Sequence, residues 1–356
     1  MPSQFVEDKQ SMKRFMLSVD YELFFGSDSG TVENCMIRPM RRLIQELDHY
    51  NYKMTVFWDI LHFYRLLQLE NEIIDLSYDR SMIQQQILSM VRQGHDIQML
   101  INPHWLDARW ENNKWEFNHQ RFSIHRLWDE PDAENIATIL GCITQSKLLM
   151  ESVCQQEDPT YRVRVFRAGG GRVEPFTQLA EALRSNDIRV DSSFIFGVKS
   201  KKPFPFDFTE GPRNLFYRFN DSILKVEEDG FFWEFPKGSV RVPWVFRVAF
   251  YIQSLFSKVS FSRYGNGKPL KFTHRESWGH SWFYFGAKYY RLSLEYITSF
   301  RWLYLMSKAR EDSQVVMNSK NIGPYTIRLI RSILNKRKLR FYSFQERLDE
   351  LNVYVD

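Results

Sequence analysis

The feature that most limits what this chain can fold into is an alternation, repeated along most of its length, of short apolar runs with longer stretches of helical period. Phe15-Met16-Leu17-Ser18-Val19 reads as a buried strand. Arg38 to Asn51 carries Met40, Leu43, Ile44 and Leu47 at helical spacing and leads into a second strand, Met54 to Trp58. Ser81 to Gln93 repeats the helical pattern, and Gly94 suits a helix C-cap ahead of the strand Asp96 to Ile101. Arg162 to Phe166, Ile188 to Asp191, Gly230 to Phe235 and Leu339 to Phe344 read as further strands. Helices are expected at Phe176 to Ser185 and near Gln345 to Leu351. Strands separated by helices imply βαβ units on a parallel sheet. At 356 residues the chain is long enough to close such a sheet into one large α/β barrel with insertions.

Composition removes other classes. With 44% hydrophobic and 26% charged residues the chain is neither disordered nor fibrous. Lys+Arg 48 against Asp+Glu 43 is too mild an excess for a nucleic-acid binder, and no nucleic-acid motif is present. The three cysteines, Cys35, Cys142 and Cys154, form no CxxC pair, which points to a reducing compartment. No apolar run of leader length opens the sequence and none is long enough to span a membrane, so the cytoplasm is the expected location. Trp244 to Phe256 comes nearest, but it is short and contains Arg247. One elaborated domain over 1–356 is expected, with loop excursions at about 198–220 and 244–309.

The polar residues that end the strands carry the chemistry. Asp20 and Glu22 stand two apart where the first strand ends, so both face one side of the rim on which α/β barrels keep catalytic groups. The third strand runs through Asn102-Pro103 into His104-Trp105, a rim position suited to a ligand. Arg167-Ala168-Gly169-Gly170-Gly171 follows another strand. Its glycines could cradle phosphate, or leave room for a substrate or for Arg167 to turn inward. Asp191-Ser192-Ser193 closes the next strand on the same rim.

In this order the pieces resemble the polysaccharide deacetylases, metal-dependent enzymes that remove N-acetyl groups from sugars. Leu17 to Glu22 is similar to the family's first motif in its Asp-x-Glu form, and Thr55 to Trp58 to its second strand. Gly94 to Trp105 is similar to its metal-binding motif, Phe166 to Gly170 to its arginine motif, and Asp191 to Ser193 to its fourth. Trp233 to Pro236 and Leu339 to Glu346 are similar to its late strand and its ending. The resemblance implies a distorted (β/α)7 barrel with Asp20 as general base, Glu22 and His104 as ligands of a divalent metal (zinc first), and Arg167 orienting the base. Asp191 would support a late histidine, for which His274 and His280 are candidates. Trp105, Gly169 and Gly170 would meet the substrate, and Trp110, Trp115 and Trp278 are further candidates for stacking on sugars.

The chain departs from the pattern at Leu100 and Asn102, where relatives carry histidines. Leucine has no lone pair to give, and an amide oxygen is a weak zinc ligand. Two expectations follow. One is an enzyme removing the N-acetyl group of an amino sugar in surface-polysaccharide synthesis (O-antigen, capsule or exopolysaccharide, hence lipopolysaccharide). The other is a catalytically impaired relative that binds carbohydrate. In either case the partner is an N-acetylated sugar or polysaccharide precursor. The basic amphipathic segment Arg328 to Arg340 adds an expectation of peripheral membrane contact.

Overall fold

The computed structural model describes residues 12–200, 206–256, 262–270, 288–336 and 339–354. Nine strands form one curled sheet: β1 Lys13–Tyr21, β2 Thr55–Asp59, β3 Asp96–Ile101, β4 Val165–Ala168, β5 Val190–Asp191, β6 Tyr217–Phe219, β7 Phe232–Glu234, β8 Gln314–Asn318 and β9 Leu339–Tyr342. Their order is β6-β7-β5-β4-β3-β2-β1-β8, with β9 also on β1. All pairings are parallel except β6 with β7. The sheet therefore keeps the expected parallel α/β plan, but its strand count is not the expected seven. The short antiparallel strand β6 extends one edge, and β9 returns to pair with the start of β1.

Beyond β7, Lys237 stays beside the continuation of β5 at Ile195 and also bridges to Gln314 of β8, which brings the two sides of the sheet together. Along β1 the side chains alternate between two cores. Phe15, Leu17, Val19 and Tyr21 join the large cluster beneath the helices, whereas Met16 joins a smaller cluster inside the curl with Phe57, Leu100, Val165 and Val190. Leu100 is thus an interior packing residue here. Burial of both faces explains why these strands read as nearly continuous apolar runs.

Helices α1 Arg38–Asp48, α2 Ile60–Leu69, α3 Ile74–Arg92, α4 Ile139–Cys154 and α5 Thr177–Ser185 cover the outside. Gly94 takes φ +79°, as a glycine closing α3 should. Two further helices, α6 Trp244–Phe256 and α7 Ser299–Lys308, flank a ribbon of Ser239–Val242 against Lys288–Arg291. α8 Pro324–Asn335 turns Ile327, Ile330, Ile333 and Leu334 into the core, so the apolar side of the basic segment is already used in packing. α9 Phe344–Glu350 starts with a capping box, Ser343 and Glu346 each bonding the other's backbone. No helix among the described residues is long and apolar enough to cross a membrane.

Candidate functional site

The C-terminal ends of β1, β2, β3, β4 and β8 meet at one mouth of the curl. Above the apolar interior lies a polar layer built on Arg167, which is fully buried. Its Nη1 donates to Asp20 Oδ1 at 2.5 Å, its Nε to the Ser192 carbonyl at 3.0 Å, and its Nη2 to Ser192 Oγ at 2.9 Å. The guanidinium carbon also stands 3.5 Å from the centre of the Phe57 ring. Burial by itself would raise the Asp20 carboxyl, but the charge and hydrogen bond of Arg167 outweigh it and hold Asp20 below the usual range. Asp20 is thus ionised and held by the Arg167 guanidinium.

Glu22 is held by three donor side chains from two segments, the end of β3 and the end of β8. Lys320 Nζ donates to Glu22 Oε1 at 2.8 Å and to the Leu23 carbonyl at 2.8 Å. The Asn318 amide spans both carboxylates, reaching Asp20 Oδ2 at 3.2 Å and Glu22 Oε1 at 3.0 Å. The Asn102 amide spans Glu22 Oε2 and Asp59 Oδ2, each at 3.0 Å. Burial, and then the charge of Glu22, push the Asp59 carboxyl well above the usual carboxylate range, against the lowering effect of the hydrogen bonds from Asn102 and Trp105. The mouth is electrically balanced from within: Asp20 and Glu22 face Arg167 and Lys320.

His104 and Trp105 lie in the short 3-10 turn Pro103–Trp105, and both are buried. The His104 ring sits 4.2 Å from that of Phe25 and 5.0 Å from that of Phe117. Burial lowers its pKa well below the ordinary value, and the charge of Lys320 acts in the same direction, so the imidazole is neutral. Trp105 is only 1% exposed and donates its indole N–H to Asp59 at 2.7 Å. Its rings pack on His62 and Trp115. The expectation that Trp105 stacks on a sugar is corrected here, because the Pro103 turn tucks the indole beneath the mouth. Trp115 is also buried; Trp110 is half-exposed on the hairpin Arg109–Glu116.

Asp191 lies deeper. Its oxygens accept from the Ser193 backbone N–H at 2.9 Å and the Ser193 hydroxyl at 2.7 Å, which ties down the loop after β5. Beside it, Glu234 is fully buried; burial and then Asp191 push its carboxyl well above the usual range. Lys237 lies within the electrostatic reach of Asp20 and Arg167, and burial followed by Arg167 lowers its ammonium to about 8. His274, His280 and Trp278 lie outside the described residues.

Gly169 makes room for a neighbour: a Cβ there would stand 1.9 Å from Asn102 Oδ1. Gly170 and Gly171 take φ +65° and +71°, the left-handed region that suits glycine. The run therefore serves Asn102 and the turn behind Arg167.

These donors do not fit a divalent metal. Among the described residues no group of three or more His, Cys, Asp and Glu side chains is arranged to hold an ion. The oxygens of Glu22 already accept from an ammonium and two amides. A metal would add two positive charges where the existing ones are already balanced.

Sequence reasoning missed Lys320, Asn318 and Asp59. Asp59 was within reach as a carboxylate at the end of β2. The other two follow from β8, whose only signal is the brief apolar run Val315-Val316-Met317 before Asn318-Ser319-Lys320.

No protein-family model and no curated protein matches the chain. It is similar to several solved structures. One is a mutant of a CE4 family pseudoenzyme with restored enzymatic activity, at 9% identity and TM-score 0.40 over 96% of this chain and 69% of that one. Another is a family 4 acetyl xylan esterase from Clostridium thermocellum in complex with a cobalt ion, at 12% identity and TM-score 0.38 over 97% and 94%. A third is a 4-alpha-glucanotransferase from Thermococcus litoralis, at 11% identity and TM-score 0.45 over 95% of this chain and 40% of that one. Chemistry does not transfer at this distance, and the functional reading rests on the side chains themselves.

Proposed function

We propose that this chain is a carbohydrate-binding relative of the polysaccharide deacetylases in which the Lys320 ammonium occupies Glu22, the carboxylate that the resemblance assigns to a metal. In this reading it holds an N-acetylated sugar or polysaccharide precursor and carries out no metal-assisted hydrolysis. The observation that carries the reading is the saturation of Glu22 by Lys320, Asn318 and Asn102. In the same reading one domain spans 1–356, with excursions at about 198–220 and 244–309.

The ligand's place is a cavity of about 290 Å³ lined by Tyr289, Tyr290, Arg291, Ser293, Glu295 and Tyr296, among others. Arg291 reaches Asn318 Oδ1 at 3.4 Å, which links the cavity to Asp20 and Glu22. Its volume is near the small end of ligand pockets, and tyrosines beside an Arg–Glu pair suit a sugar's apolar faces and hydroxyls.

The test combines elemental analysis of the purified protein, acetate release from N-acetylated oligosaccharides with added zinc or cobalt, and calorimetric binding of the same sugars in chelator. Sugar binding that survives chelator, with no bound metal and no acetate, is the expected result. Stoichiometric metal together with acetate release would overturn it. That outcome would favour the second reading, a deacetylase of surface-polysaccharide synthesis, for which the aligned Asp20–Arg167 pair is the supporting observation.

A further inference from the structure

Helices α6 and α7 pack side by side and antiparallel: Phe246 meets Tyr304 with ring centres 4.2 Å apart, and Phe250 meets Phe300 at 5.9 Å. These contacts use only part of each helix. Val245, Val248, Ile252 and Leu255 of α6, with Phe300 and Leu303 of α7, are all between 45% and 62% exposed. On α6 they recur at intervals of three, four and three residues, which makes one continuous stripe. An ordinary covering helix turns such a stripe inward; α6 turns it outward.

At one end of the pair the character changes sharply. The antiparallel packing brings the start of α6 beside the end of α7, and a groove of about 480 Å³ opens there. It is lined by Arg213, Lys237, Arg241, Lys308 and Arg310 as well as by aromatic and small residues, and no Asp or Glu among the described residues lines it. Arg213, Arg241, Lys308 and Arg310 are exposed, and Arg213 and Arg310 are tied together by a hydrogen bond to the Arg213 carbonyl at 2.9 Å.

We infer that the α6–α7 face is an interfacial anchor for an anionic lipid bilayer: the apolar stripe enters the acyl boundary and the basic groove receives headgroup phosphates. The pairing of the two features selects this occupant. Apolar surface beside a groove whose described lining is basic and carries no carboxylate complements a layer that is hydrocarbon below and anionic above. α6 has 13 residues and is too short to span, so it lies along the surface. The anchor is independent of whether the Asp20 mouth binds or cleaves sugar.

The test is co-sedimentation of the purified protein with vesicles of phosphatidylcholine alone and of phosphatidylcholine with 30% phosphatidylserine, at low and at high salt. Binding to the anionic vesicles, weakened at least about tenfold by high salt, is expected. The double variant Ile252→Glu/Leu303→Glu, and separately Lys308→Glu/Arg310→Glu, should each weaken it by about tenfold or more. These positions are exposed, and an unchanged circular dichroism melt confirms that the variants are folded. If a variant melts early, protection of amides 244–256 from hydrogen exchange on vesicles gives the same readout on the unmodified protein. Failure to sediment with anionic vesicles would overturn the inference, as would binding indifferent to the apolar pair. A lipid-free dimer abolished by Ile252→Glu/Leu303→Glu would overturn it too, because the face would then belong to a second copy. So would binding of inorganic phosphate without binding of vesicles.

Discussion

The Lys320 ammonium lies 2.8 Å from Glu22 Oε1, with only 13% and 16% of the two side chains exposed. A partly buried charge pair of this kind costs most when one member alone is removed. Lys320→Ala is therefore expected to destabilise the fold by about 3 kcal/mol, and Glu22→Gln in the same background to recover part of that. A double-mutant cycle in urea measures the coupling. A value below about 0.3 kcal/mol would mean that the ammonium does not compensate Glu22.

Arg167 is the second compensating cation and is more deeply buried. Arg167→Met should cost about 3–5 kcal/mol, since it strands the Asp20 carboxylate. Asp20→Asn in that background should restore stability by removing the stranded charge. Thermal unfolding of the three variants checks this, and equal melting of Arg167→Met and the parent would refute it.

Glu234 gives the fold a pH dependence of definite sign. Its carboxyl is held well above 4.5 by burial and by Asp191, so the native state keeps a proton that the unfolded chain releases. Its contribution is complete below about 4.5 and declines as pH rises toward the native value, at a slope of up to about 1.4 kcal/mol per pH unit. Glu234→Gln should flatten that decline above about pH 4.5. Melting temperatures measured across the range, with parent and variant running parallel, would rule this out.

His62 is fully buried, and neither ring nitrogen has a hydrogen-bond partner among the described residues. Burial lowers its pKa to about 3, so it sits neutral between Trp105 and Trp115. His62→Phe keeps the ring contacts and removes two unsatisfied polar atoms, and should stabilise by about 1 kcal/mol. Chemical denaturation provides the measurement. A loss of stability would point to a polar partner for the imidazole.

Much of the sheet was legible because strands buried on both faces leave little but apolar residues in the sequence. Asp96–Ile101 was read residue for residue, and β1 and β2 to within two. Asp20 and Arg167 were legible as a pair through the order of the motifs, and the structure joins them. Asn318 and Lys320 were not. β8 has just three consecutive apolar residues, and its identity as a strand comes from pairing with β1 almost 300 residues earlier. Trp105 misled for a local reason: Pro103 ends the ladder but starts a 3-10 turn, which folds the indole inward instead of onto the rim.

The two sides of the curled sheet meet where the chain after β7 runs beside β8: Lys237 bridges to Gln314, and the Gly238 N–H bonds the Gln314 carbonyl at 3.0 Å. A ring fastened by so few backbone bonds behaves as a clasp. Such a seam opens locally at less free energy than global melting requires, so amide exchange at Lys237 and Gly238 should outpace that of the central strands.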